Sequence, residues 1–152
     1  FLGQEHAIRA VPEAKRGVWA ESGVIWVSGA MEHSNRRVAD WLKKQAKLEI
    51  APRAHAYAGE IGKKINRISI KDTRTRWGSC SSGGNLSFSW RLILAPEDVL
   101  DYVVAHEVAH LQELNHSARF WKVVDDLYGS SAKQQHWLKR NGSGLHRFGA
   151  GE

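Results

Sequence analysis

The chain has one cysteine in 152 residues, Cys80, so it cannot close an internal disulfide. A lone thiol also favours a reducing compartment, and the expected location is cytoplasmic. No run of eighteen apolar residues occurs, which argues against a helical membrane span. Zinc-finger spacing, helix-turn-helix spacing and an RNA-recognition motif are missing, and no internal repeat is present. Acidic side chains are the minority charge, 16 against 22 lysines and arginines, for a net charge of +6. That balance permits binding to nucleic acid or acidic proteins, although a solvated basic surface is the simpler expectation. The basic residues gather at Arg36-Arg37, Lys43-Lys44, Lys63-Lys64, Lys71 to Arg76, Lys139-Arg140 and Arg147.

What is present is a globular composition. Hydrophobic residues make up 42% and seven are tryptophans, which fits one packed domain over residues 1–152. The chain starts at Phe1 rather than methionine and is expected to be a piece of a longer protein. Short strands are expected over about 5–28, at His6 to Val11, Val18 to Glu21 and Val24 to Val27, the last two joined by a turn at 21–23. A helical region follows over about 34–62, with Pro52 expected to break it into two helices. A sheet is expected over about 65–94: Ile65 to Ile70, Arg74 to Cys80 and Leu86 to Leu94, with Ser81-Ser82-Gly83-Gly84 as a turn. Helices fill about 96–141, the later ones from Ser117 to Tyr128 and Lys133 to Arg140, and residues 142–152 read as a loose tail. Strands before a run of helices argue an α+β fold, with a small antiparallel-rich sheet ahead of the C-terminal helices.

The chemistry is concentrated in HEVAHLQELNH, His106 to His116. Four residues on a helix turn about 400°, so His106 and His110 share a face one turn apart. Both imidazoles can then reach one zinc ion at about 2.0–2.1 Å. Glu107 falls beside that face, placed to act as general base on a water activated by the metal. The surrounding helix opens with Pro96, Glu97 and Asp98, which suit a helix start. It continues almost wholly apolar through Leu111, the mark of a core helix. Ionisable groups buried there are costly unless something satisfies them, and a divalent cation does so.

A hydrolytic zinc site takes three protein ligands and keeps a fourth position open. His116 is the favoured third ligand, with Glu113, Asp125, Asp126, His136 and His146 as competitors. On an unbroken helix His116 would be turned about 120° from His110. The helix is therefore expected to end just before it, with Asn115 in the left-handed conformation and Ser117 capping a new helix. The metzincin pattern does not fit: Glu113 stands where that pattern has glycine, and the only methionine, Met31, lies far upstream. Cys80 reads as structural rather than nucleophilic, since no Cys–His spacing marks a thiol enzyme. Tyr128, Arg76, His136 and Arg147 are each candidate donors to a tetrahedral intermediate.

The segment TRTRWGSCSSGGNLSFSWRLILAPEDVLDYVVAHEVAHLQELNHSARFW, residues 73 to 121, resembles the YgjP-like metallopeptidases, which are related to the SprT-like and WLM zinc peptidases. The likeness extends back to about Arg36 and forward through WLKRNG at 137 to 142. It departs at Ser89, where asparagine is common, and at LYGSSAK, where many members have proline. The resemblance implies a compact zincin-like α+β domain. It implies zinc, one ion per chain, on His106, His110 and His116, with Glu107 catalytic. The expected function is a zinc-dependent metallopeptidase acting on peptides or unfolded proteins. An edge strand in the hairpin before the metal helix would pair with an extended substrate. Arg76 and Trp77 are the candidate substrate-binding residues, with Trp77 as a cleft wall or as plain core packing. The rival readings are a zinc amidohydrolase acting on a small molecule and a DNA-associated protease or binding module. The last draws on those relatives and on the positive charge, and implies weak, non-specific DNA binding.

Overall fold

The computed structural model describes residues 1–11, 16–29 and 33–145. Three strands come first: β1 (Ala7–Val11), β2 (Val18–Glu21) and β3 (Val24–Ser28). Then follow α1 (Ser34–Glu60), β4 (Arg67–Lys71), β5 (Gly78–Cys80) and β6 (Asn85–Ser89). A 3₁₀ turn (Trp90–Leu94) leads into α2 (Glu97–Ala109), α3 (Ala118–Tyr128) and α4 (Ala132–Leu145). The class is α+β, as its sequence order implies. The strands form two three-stranded sheets rather than one, in the orders β1-β3-β2 and β4-β6-β5. Each central strand has one parallel and one antiparallel neighbour, so neither sheet is antiparallel-rich. Among the described residues no helix is long and apolar enough to cross a membrane.

Helix α1 does not break at Pro52; it runs unbroken for 27 residues. Its buried residues, Val38, Leu42, Ala46, Ile50, Ala54 and Ala58, form one i+4 ridge, the kind a helix packs into a neighbour's groove. Proline removes the bond to the carbonyl of Leu48. Leu48 is 61% exposed, so water can satisfy that carbonyl, while Ile50 and Ala54 hold the chain helical on either side. Arg53 ties this helix to the first turn of α2, meeting Glu97 at 2.6 Å and Asp101 at 3.8 Å.

Two of the expected strands are shorter than the sequence suggests. The stretch from Arg74 to Cys80 pairs only over Gly78–Cys80, because Thr73 donates its hydroxyl to the Arg76 carbonyl and holds the preceding residues in a loop. The stretch from Leu86 to Leu94 stops at Ser89, whose hydroxyl accepts the amide of Arg91 and starts the 3₁₀ turn. Arg91 is 1% exposed and ion-paired with Asp72, just past β4. That pair fastens the start of the 72–77 loop to the core. The expected strand at Ile65 to Ile70 falls at Arg67–Lys71.

Helix α2 sits at the centre of the core and is buried nearly all round. Pro96 is its cap rather than its first residue. It stops at Ala109, well before Asn115, which does not take the left-handed conformation. Ser117 does cap α3, accepting the Phe120 amide, and Gly129 ends that helix at φ +95°. Helix α4 runs five residues past its expected end, to Leu145. Gly142 and Leu145 are buried, so 142–145 are not loose; the rest of the expected tail, 146–152, lies outside the described residues.

Candidate metal centre

Helix α2 and its C-cap present His106 and His110 one turn apart, and the chain turns back after them to bring His116 alongside. The potential ligand atoms of these three histidines lie within 4.8 Å of one another. No other group of three or more such residues gathers among the described residues, so Glu113, Asp125, Asp126 and His136 stay outside; His146 lies beyond the described residues. His110 Nδ1 is 3.0 Å from the Glu113 carbonyl, which can only accept. Its proton therefore sits on Nδ1, and the Nε2 lone pair is free. His106 Nδ1 is 3.2 Å from the Tyr102 hydroxyl oxygen, which can accept in the same way. The Nε2 atoms of His106 and His116 are 3.3 Å apart. Two nitrogens about 2.05 Å from one tetrahedral ion are separated by about 3.3 Å. The donor set therefore fits a single metal ion.

Burial pushes the His106 imidazole down to about 4, helped by the neighbouring His110 and His116. Burial lowers His110 too. Both are held neutral, as ligation requires. Phe120, fully buried, lies against all three rings, stacked on His110 at 4.3 Å and edge-on to the other two. Trp121 faces His106 and His116. The run from His116 to Trp121 thus supplies a candidate ligand, a helix cap and an aromatic wall in close succession.

Glu107 is 7% exposed, with its carboxylate against Gly78 of β5. A Cβ on Gly78 would lie 2.7 Å from the Glu107 Cγ and 3.0 Å from its Oε2, so glycine is what lets the carboxylate sit there. Burial raises Glu107 to about 7, against the pull of the Arg76 charge. That value suits a group that must take up and release a proton near neutral pH. Cys80, two residues along the same strand, is pushed up to about 11 by burial and by Glu107, so its thiol stays protonated.

The expected substrate-binding residues flank this point. Arg76 is exposed, with its charge directed at Glu107. Trp77 is half-buried against the core, and its ring would meet a Cβ on Gly142 of α4 at 3.1 Å. Tyr128, a candidate donor, commits its hydroxyl to the Asp98 carbonyl at 2.9 Å, and Arg147 lies outside the described residues. Sequence reasoning missed Tyr102, Gly78 and Phe120. Tyr102 was findable, since it precedes His106 by one helical turn. The other two touch the site from elements distant in sequence or across a bend.

Three clustered histidines, two of them held neutral by burial, with a buried carboxylate against the neighbouring sheet, form an arrangement suited to a metal-dependent hydrolase. The chain belongs to the YgjP-like metallopeptidase domain family, whose model matches residues 1–141. It is a metal-dependent peptidase, with peptides or proteins as substrates. A solved structure, the metallopeptidase zymogen of Pyrococcus abyssi abylysin, is similar over 67% of this chain and 90% of its own, at 19% identity and a TM-score of 0.44. No curated protein matches the chain.

Proposed function

We propose that the metal is zinc, one ion per chain, held by Nε2 of His106, His110 and His116, and that Glu107 is the general base. The observation that carries this reading is the 3.3 Å separation of two Nε2 atoms beside a buried carboxylate. Zinc at such a site supplies Lewis acidity, which acidifies water and polarises a carbonyl. The chain's own residues do the rest. Tyr102 and the Glu113 carbonyl fix the ring orientations of His106 and His110. Glu107 takes the proton of the attacking water on its carboxylate and passes it to the leaving amine. Phe120 and Trp121 keep water away from one side of the cluster.

β5 is an edge strand, and its free side is suited to pairing with an extended substrate through main-chain bonds. Arg76, in the loop just before that strand, is a donor for the substrate chain, and Trp77 steadies that loop. A cavity of about 810 Å³ lies elsewhere, between the N-terminal segment and α1, and includes none of the triad. That placement favours an open groove over a small-molecule pocket. Unfolded casein-like proteins should therefore be cut where compact ones are not. Chelation should stop cleavage and zinc should restore it. Glu107→Gln should lower the rate by about 10² or more with the metal retained. Cleavage of a small amide with no peptide ever cut would defeat the reading. The free thiol of Cys80 supports a reducing, cytoplasmic setting. Lys63-Lys64 and Lys71 to Arg76 are the segments for weak DNA binding, which should lack sequence preference and fall steeply with salt.

A further inference from the structure

A second recess of about 260 Å³ adjoins the metal centre at His110. Its walls include Lys63, Lys64, Ser81, Ser82, Gln112 and His110, and its lining contains no acidic residue. The volume is below the range of about 300–1,000 Å³ usual for a whole small ligand, and suits one side chain. The two lysines come from the end of α1, where Gly62 turns left-handed at φ +64°. Two capping bonds lock that turn, Lys63 N–H to the Ala58 carbonyl at 3.0 Å and Gly62 N–H to the Gly59 carbonyl at 3.2 Å. The segment is then strapped to the β5–β6 turn. Asn66 N–H donates to the Gly84 carbonyl at 2.9 Å, and the Asn66 side chain meets that of Asn85 at 2.7 Å. The backbone carrying both cations is therefore fixed beside the turn that follows β5. Both lysines are exposed, and neither forms an ion pair among the described residues.

A peptide lying along β5 must pass this recess at one end and Arg76 at the other, because the turn at 81–84 continues directly from Cys80. We propose that the recess is a substrate subsite for an acidic side chain, glutamate or aspartate, selected by Lys63 and Lys64. The proposal rests on the peptidase reading and adds a sequence preference to it. Ser82 and Gln112 can donate further hydrogen bonds to that carboxylate, while the sign of the charge is selected by the two lysines. Selection of this kind is electrostatic, so it weakens as salt rises.

The test measures binding separately from cleavage. Zinc-loaded Glu107→Gln protein is titrated with fluorescent peptides in which one glutamate, or one glutamine in its place, is moved through every position. At one position the glutamate peptide should bind about five- to tenfold tighter, the scale of two exposed ion pairs. The Lys63→Glu/Lys64→Glu protein should reverse that ratio, and Lys63→Gln/Lys64→Gln should abolish it. Equal binding of the two peptides at all positions, no binding at millimolar peptide, or a ratio untouched by charge reversal would each overturn the proposal. So would tight oligonucleotide binding that depends on these lysines with no discrimination between the peptides; the recess would then be a phosphate site. The peptidase reading is judged independently, by whether the enzyme with Glu107 intact cuts the peptides it binds.

Discussion

Replacing Gly78 by alanine tests the placement of the carboxylate with a single methyl group. The new Cβ would lie 2.7 Å from Glu107 Cγ and 3.1 Å from Cδ. Carbon atoms pack at about 3.5–4.0 Å, so the overlap is roughly 1 Å. Glu107 is 7% exposed and rooted in the central helix, and β5 is paired to β6 through Gly78 and Phe88, so neither side yields freely. Overpacking of this order costs about 1–3 kcal/mol of stability, or a Tm loss of about 2–12 °C for a chain of this size. The catalytic cost is larger in proportion. A carboxylate displaced by about 1 Å loses about 10²-fold in rate. The assay is hydrolysis of an unfolded protein by zinc-loaded enzyme, read beside metal content and thermal melting. Metal should stay near one equivalent while kcat/KM falls. Gly59→Ala is the matched control. Its methyl meets nothing within 4 Å, and it should leave activity alone and raise stability by about 0.5–1 kcal/mol. Full activity in Gly78→Ala, with normal metal content, would refute the assignment of Glu107 to the reacting centre.

Metal analysis should find close to one zinc per chain, falling sharply in His106→Ala, His110→Ala and His116→Ala; normal binding in His116→Ala with loss in Asp125→Ala or Asp126→Ala would move the third ligand. Tyr102→Phe removes the oxygen beside His106 Nδ1 and should weaken zinc about tenfold in a chelator competition, with circular dichroism unchanged. The Arg91 guanidinium hydrogen-bonds Asp72 and holds its carboxyl below the usual range. A lowered folded-state pKa stabilises above the unfolded value of about 3.9, and that contribution is lost as pH falls through the folded value. Urea midpoints of wild type and Asp72→Asn should therefore differ at pH 6 and converge as pH falls below the unfolded value and through the lowered folded one; a gap independent of pH would show that charge is not what Asp72 contributes.

The parts of this site that could be read in advance are those set by helix geometry. The four-residue spacing of His106 and His110 fixes their common face whatever surrounds them. Ser117 acts within one turn of itself, and its cap lies where a local rule places it. The errors came where a distant partner overrides local preference. Pro52 is a helix breaker by propensity, but the buried ridge from Val38 to Ala58 outweighs it. Asn115 was the wrong place to end α2, since the chain already turns at His110. Trp90 to Leu94 looks like a strand by composition, and burial of Arg91 beside Asp72 makes it a 3₁₀ turn. Gly78 carries no signal of its own, because its role exists only once Glu107 is opposite.

The three histidines lie within eleven consecutive residues, on either side of one bend. An ion that bridges them closes a very short loop, and a crosslink over so short a span removes little freedom from the unfolded chain. The hydrophobic floor of the site, Phe120 with Val123 and Val124, belongs to the main core and does not depend on the ion. Gaining and losing the metal are thus separable from folding and unfolding. A metal-free chain should therefore keep its helical circular dichroism and melt cooperatively, with added ion raising the Tm by mass action alone.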